Sequence, residues 1–360
     1  MKAKPVLAVL AALFVGVGAI AALNRDKIAL TLLERGANQA LAHPTIEGLK
    51  TGLHAGFCGT GSPMPDRDRA GPCLAIIAGG KLFVFDAGEG SAETLNLMGL
   101  PTGQVQAVFL THFHSDHIDG LGALGLQRWA SSSAKAPLPL YGPTGVEQIA
   151  AGLTQVYTQD RGYRVAHHGA AIVPPSGFGF EAKAFAPPAI GAEAVVYDQD
   201  GVKIIAFGVD HRPIEPALGY RIEYGGQKIV ISGDTKLCDC VTKASQGANL
   251  LVHEAIAPNL TQIMGKAAKD SGQAGVAQVF HDIENYHATP SQIADIATSA
   301  KVGGVALTHI VPALPLKGLE GPFLGDAKQK FKGPFWIMQD GDLVSLDGQG
   351  KLSKRHVLRD

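Results

Sequence analysis

The sequence predicts an α/β fold in four layers, two β-sheets face to face with helices on their outer sides. Two observations predict it. Short apolar runs bounded by Gly or Pro give way to helical stretches, and the same strand-then-helix order returns in the second half of the chain. Directly after one of the apolar runs comes a dense group of metal-competent side chains, Thr111-His112-Phe113-His114-Ser115-Asp116-His117. A strand end leading into a helix is where a rigid scaffold presents such groups to an open cleft.

Taken in order, Lys2 and Lys4 precede an almost wholly apolar run over 5–23, which Asn24, Arg25 and Asp26 end. Residues 1–24 therefore read as a signal peptide or a single membrane anchor. A buried helix fits less well, because no polar face interrupts the run. In a bacterial host both readings place the body outside the cytoplasm, in the periplasm or anchored to the membrane. A linker segment with a short helix covers 25–50, and a single domain is expected over 51–350. Strands are predicted at 53–58, 74–78, 82–86 and 107–110, and helices at 118–130 and 146–158. Further strands follow at 180–184, 202–209, 218–224, 228–231 and 250–253. A helical insertion over 260–281 precedes a helix at 290–300 and a strand at 305–307. Pro290 suits the first turn of its helix, where a missing N–H costs nothing, and Thr289 is placed to cap it.

Composition narrows the function. With 31 Lys and Arg against 32 Asp and Glu, there is no electrostatic footprint for nucleic acid and no polybasic membrane surface. The four cysteines, Cys58, Cys73, Cys238 and Cys240, contain no CxxC pair, which excludes a zinc ribbon or a thioredoxin-like motif. Cys58 and Cys73 read as buried thiols or as a bridge, which an exported chain would permit.

His112 and His114 alternate along an extended backbone and so point to one side, while Asp116 and His117 fall on the turn, within reach of a second ion. Imidazole with carboxylate suits zinc, and also manganese or iron. Burying these groups unpaired would cost roughly several kcal/mol.

The spacing H-x-H-x-D-H resembles that of the metallo-β-lactamase superfamily, whose fold is a four-layer αββα sandwich, and the resemblance runs from Gly59 to about Pro312. It is nearest to the branch that holds tRNase Z and the exported arylsulfatase-like hydrolases. The motifs Gly59-Thr60-Gly61-Ser62-Pro63, Asp86-Ala87-Gly88, Tyr141-Gly142-Pro143, Gly219-Tyr220-Arg221, Ser232-Gly233-Asp234-Thr235, His253-Glu254-Ala255, His287-Ala288-Thr289 and Leu307-Thr308-His309 follow in family order.

The resemblance implies two zinc ions, with manganese or iron(II) as alternatives. His112, His114 and His211 would hold the first; Asp116, His117 and His309 the second; Asp234 would bridge them. Paired ions lower the pKa of a shared water, which Asp116 would orient. His287 would donate a proton to the leaving oxygen or clamp the developing anion. Glu254 would orient His287, or form an ordinary surface ion pair. Asp86 would bond a metal-site histidine, or simply shape a turn. Arg67 and Arg69 read as part of a solvated loop, Arg69 alternatively as a contact for an anionic substrate group. His43, His54, His167, His168, His281 and His356 have no ligand partners in sequence, and His253 reads as a supporting residue.

Between Arg221 and Ser232 there is room only for a hairpin turning at Gly225-Gly226, whereas tRNase Z carries a long tRNA-gripping arm there. This points to an exported hydrolase of sulfate, phosphodiester or related esters, with a small anionic ester as substrate and no nucleic-acid partner. A homodimer stays open. The alternatives are a tRNase Z-type 3′-tRNA-processing endoribonuclease, a lactonase or β-lactamase, and a metal-binding protein without catalysis.

Overall fold

The computed structural model describes residues 24–42 and 44–358. The apolar run over 5–23 and His43 lie outside the described residues. Among those described, no helix is long and apolar enough to cross a membrane. The chain separates into two compact units between Pro44 and Thr45. The first contains helix α1 (Arg25–Ala42), on which Leu30, Leu32 and Leu33 are exposed. The second opens on a short 3-10 turn, Thr45–Leu49, that buries Ile46 and Leu49.

Two sheets form the second unit. The strands of the first are β1 (Leu53–Gly59), β2 (Cys73–Ala78), β3 (Lys81–Phe85), β4 (Val105–Phe109), β5 (Leu138–Pro143) and β6 (Phe180–Phe185). The second holds β7 (Glu193–Gln199), β8 (Val202–Gly208), β9 (Leu218–Tyr224), β10 (Gln227–Ile231), β11 (Leu250–Ile256), β12 (Val305–Val311) and β13 (Phe335–Ile337). The chain then returns to the first sheet with β14 (Asp342–Leu346) and β15 (Leu352–His356), giving the orders β15-β14-β1-β2-β3-β4-β5-β6 and β13-β12-β11-β10-β9-β8-β7.

The layering follows from the two-residue period of a strand. On β2, Leu74, Ile76 and Ala78 enter the core between the sheets, while Cys73, Ala75 and Ile77 enter a second core under the outer helices. On β10, Ile229 and Ile231 face the first of these cores and Val230 a third, beneath the helices of the other side. Strands covered on both faces read as continuous apolar runs, which is why CLAIIA is buried throughout.

The helices of the first side are α2 (Ser91–Leu97), α3 (Ser115–Ile118), α4 (Leu121–Ser132), α5 (Val146–Val156) and α6 (Thr158–His168). Those of the other are α7 (Asp239–Ala244), α8 (Pro258–Asp270), α9 (Ala274–Asp282), α10 (Pro290–Ala300), α11 (Glu320–Leu324) and α12 (Ala327–Lys330). Helix α10 begins as its sequence demands: Thr289 and Gln292 form a reciprocal capping box with Pro290 in the first turn, and Ile293, Ala294, Ile296, Ala297 and Ala300 are buried. His167 and His168 close α6, a helix absent from the predicted elements; it buries no residue and so carries no apolar stripe to announce it. Cys58 pairs with Cys73 and Cys238 with Cys240 as disulfides.

Candidate metal centre

The site lies where strands of both sheets end. The neighbours β10, β11 and β12 are parallel, so their carboxyl ends share one edge, the place where open α/β sheets gather ligands. β4 delivers His112 to the same place. Leu218 N donates to Thr111 O at 3.0 Å, and the buried Tyr220 hydroxyl donates to Leu110 O at 2.6 Å, so β9 pins the histidine loop from the facing sheet. β8 runs out into His211, and β10 into Asp234. His309 is an extra residue in β12: its neighbours Thr308 and Ile310 pair with the consecutive Glu254 and Ala255, and its φ is 45°. Such a bulge re-aims a side chain.

These residues converge on one carboxylate oxygen. Asp234 Oδ2 lies 3.2 Å from His309 Nε2, 3.4 Å from His117 Nε2 and 3.9 Å from both His112 Nε2 and His211 Nε2. Asp116 Oδ2 lies 3.3 Å from His309 Nε2 and 3.5 Å from His117 Nε2. Two sets of donors without a shared member result, His112, His114, His211 and Asp234 on one side and Asp116, His117 and His309 on the other, and a third grouping of Asp234, His287 and His309 overlaps both; within each the ligand atoms lie within 4.8 Å of one another. The Nε2 atoms of His112, His117, His211 and His309, and Asp116 Oδ2, are buried without a hydrogen-bond partner. Orphaned polar atoms are costly in a native interior, and here they all face a common point. The donor set fits a cation on each side of Asp234.

Partners behind the ring nitrogens fix the imidazoles. Asp86 accepts from Thr111 N and Thr111 Oγ1, each at 2.8 Å, and lies 2.8 Å from His117 Nδ1. His211 Nδ1 lies 3.0 Å from Tyr286 O. His287 Nδ1 is 3.1 Å from Glu254 Oε2, while Glu254 Oε1 accepts from Ala288 N at 2.7 Å. Asp86 and Glu254 are both buried, each within hydrogen-bond distance of a histidine ring nitrogen. Such partners set tautomer and ring orientation.

Burial lowers the pKa of His112, His114 and His211, which favours the neutral rings a cation needs. For Asp234 burial acts upward, but His309 and His117 outweigh it and hold the carboxyl well below its usual range. In His117 burial favours the neutral ring, yet Asp234 and Asp86 hold its pKa well above the usual value.

A cleft of about 1140 Å³ opens beside Asp116, lined among others by Ser62, Arg69, Glu89 and Asp119. Arg69 is not free to meet an anion: its Nη1 donates to Thr60 Oγ1 and Met338 O, and Asp66 lies beside it. Behind Gly71 and Asp116, which line the cleft, main chain packs on main chain. A Cβ on Gly88 would stand 2.3 Å from Asp116 O and 2.5 Å from Gly71 C, so only glycine fits. The remaining histidines stand apart: His54 bonds Thr51 O, His356 pairs with Asp342, and His167, His168 and His281 are exposed. His253 is buried with Nδ1 2.7 Å from Glu254 O. Sequence reasoning missed Tyr286, whose only signal was its place beside His287, and Thr111, legible as the polar residue between the apolar strand and His112.

Fold and donor set together define a metal-dependent hydrolase. Residues 82–310 match the beta-lactamase superfamily domain, and the chain belongs to the metallo-β-lactamase superfamily, in its tRNase Z branch. It is 34% identical over 295 residues to the Ribonuclease Z of Mycobacterium avium (strain 104), covering 80% of this chain and 96% of that protein. With the Ribonuclease Z of Mycolicibacterium gilvum (strain PYR-GCK) it shares 38% identity over 258 residues, 71% of this chain and 83% of the relative. Among solved structures, the short form of human tRNase Z superimposes with a TM-score of 0.59 at 22% identity, over 81% of this chain and 98% of that one. The metallo-beta-lactamase fold protein YhfI from Bacillus subtilis gives 0.57 at 21%, with the same coverage.

These relatives correct the sequence-based reading on two points. An exported sulfatase-like hydrolase is not what the chain resembles along its length, and nucleic acid can no longer be set aside as a partner. The expectations rested on net charge, on the missing arm and on the apolar N-terminal run. The hairpin is indeed short, with β9 and β10 joined at Gly225-Gly226, but none of these properties bears on the chemistry of the centre.

Proposed function

We propose that this chain is a ribonuclease Z-type phosphodiesterase that cleaves RNA at the 3′ side of tRNA precursors. The observation that carries the reading is the convergence of four imidazole Nε2 atoms on Asp234 Oδ2, in a chain whose ribonuclease Z relatives match it over most of their length. His112, His114 and His211 would hold one zinc ion; Asp116, His117 and His309 the other; Asp234 both. When bound, such a pair supplies an activated water and neutralises charge on the phosphoryl oxygens.

The chain's own residues do the rest. Asp116 accepts a hydrogen bond from the attacking water and orients it. His287, backed by Glu254, carries a proton to the leaving oxygen. The buried Glu254 keeps Nδ1 of that ring occupied and so presents Nε2 to the reaction. With only a tight turn between β9 and β10, RNA would be held at the mouth of the centre rather than by an arm.

The test is cleavage of a precursor tRNA carrying a 3′ trailer by the purified, zinc-analysed protein. Release of the trailer supports the reading; intact precursor with folded, zinc-loaded protein overturns it.

A further inference from the structure

We propose that Tyr286 is a catalytic residue of this centre, its phenolic O–H donating a hydrogen bond to a non-bridging oxygen of the phosphoryl group under attack. The proposal rests on the phosphodiesterase reading above and adds a group that reading leaves unused.

The placement of Tyr286 is over-determined. It follows the 3-10 turn Ile283–Asn285 and precedes His287. Its carbonyl is committed to His211 Nδ1 at 3.0 Å, so its backbone cannot drift without disturbing that imidazole. Its ring centroid lies 5.0 Å from that of His211, with the planes at 85°, and 4.8 Å from that of His287. The ring also packs against the small apolar cluster of Ile256, Ile283 and Val311, with Met64 and Phe280. The side chain is half-buried, wedged between a candidate ligand and the candidate proton donor.

The hydroxyl, by contrast, has no hydrogen-bond partner among the described residues, although the ring is held on several sides. The seat of the ring between His211 and His287 sets its edge beside the centre. The neighbouring polar groups are already engaged: His287 Nδ1 by Glu254, His211 Nδ1 by the tyrosine's own carbonyl. Phenylalanine would pack as well. A protonated phenol is a neutral donor near neutral pH, and charge spreads over the non-bridging oxygens as a phosphoryl group is attacked. A fixed donor aimed at that charge lowers the barrier without reorganising.

The experiment uses the full chain loaded with zinc, with bis(p-nitrophenyl) phosphate and a precursor tRNA as substrates, and calorimetric titration with inorganic phosphate as a readout independent of turnover. Tyr286→Phe should lower kcat roughly 10²–10³-fold and weaken phosphate binding severalfold, with zinc content and melting temperature unchanged. Tyr286→Phe with wild-type kcat and phosphate affinity overturns the proposal; a loss confined to Tyr286→Ala would then assign the ring to packing alone. A Tyr286→Phe protein that loses zinc also overturns it, because the effect would then pass through His211. If the wild type turns over neither substrate, the phosphodiesterase reading fails, while the phosphate titration still decides whether the hydroxyl reaches a tetrahedral anion.

Discussion

The metal centre and the helical insertion between Glu254 and His287 are joined in sequence and opposite in construction. In the centre nearly every side chain is buried, and the imidazoles of His117, His211 and His287 each have a partner behind the ring. The insertion, α8 and α9, leaves Ile263, Met264, Val276 and Val279 exposed, and is tied at its base by Thr261 Oγ1 donating to Glu284 Oε1 at 2.6 Å. One region is over-determined by polar contacts; the other is held by a few. Substitutions should therefore act through chemistry in the first and through modest changes in stability in the second.

Four outcomes would break or sharpen that contrast. Asp234→Ala should have the largest effect, removing both turnover and bound metal, because both donor sets share this carboxylate; metal analysis with full activity would show the site misassigned. His287→Ala should lower kcat by about 10²–10⁴-fold with metal content kept, measured on protein of known zinc stoichiometry. Asp86→Asn should weaken zinc binding by about 10–100-fold, read by competition with a chromophoric chelator, since it supports His117 without touching the ion. Smallest, Thr261→Val should cost about 1 kcal/mol of unfolding free energy and Ile263→Ser less than about 0.5 kcal/mol, both by denaturant titration with kcat unchanged. A large catalytic loss in Ile263→Ser would make the insertion part of the machinery and erase the contrast.

Zinc binding should also depend on pH, with a definite sign. In metal-free protein burial favours neutral rings, but Asp234 and Asp86 raise the pKa of His117, and Asp234 with Asp116 that of His309. Both rings must shed a proton to coordinate, so affinity rises with pH through and above the usual imidazole range. Calorimetry in two buffers of different ionisation enthalpy counts the protons released; an affinity flat in pH would contradict the raised values.

Much of this was legible in the sequence because it is local. The strand-turn-helix around His112–His117 carries its candidate ligands within a few residues, and the capping box of α10 is spelled out by Thr289, Pro290 and Gln292. The strands of the inter-sheet core were visible as apolar runs. β15 was not: LSKRH is largely exposed, and it pairs only with β14. β7, with a pattern of exposed and half-exposed residues, hides for the same reason. Tyr286 could not be singled out from sequence, because its contact with His211 is made only by the fold. The dismissal of nucleic acid failed for another reason. A net charge of −1 sums over the whole chain, whereas a polyanion would meet only one patch of it.

The place where Gly88 lies against Gly71 and the Asp116 carbonyl has a consequence for how this protein could change. No side chain spaces those segments apart, so their separation is set by peptide geometry and cannot be tuned by trading one residue for a slightly larger one. A single methyl there acts as a wedge between three stretches of chain at once. Variation beside Asp116 must therefore arise at side chains that line the cleft, such as Ser62, Glu89 and Asp119, and not at this contact.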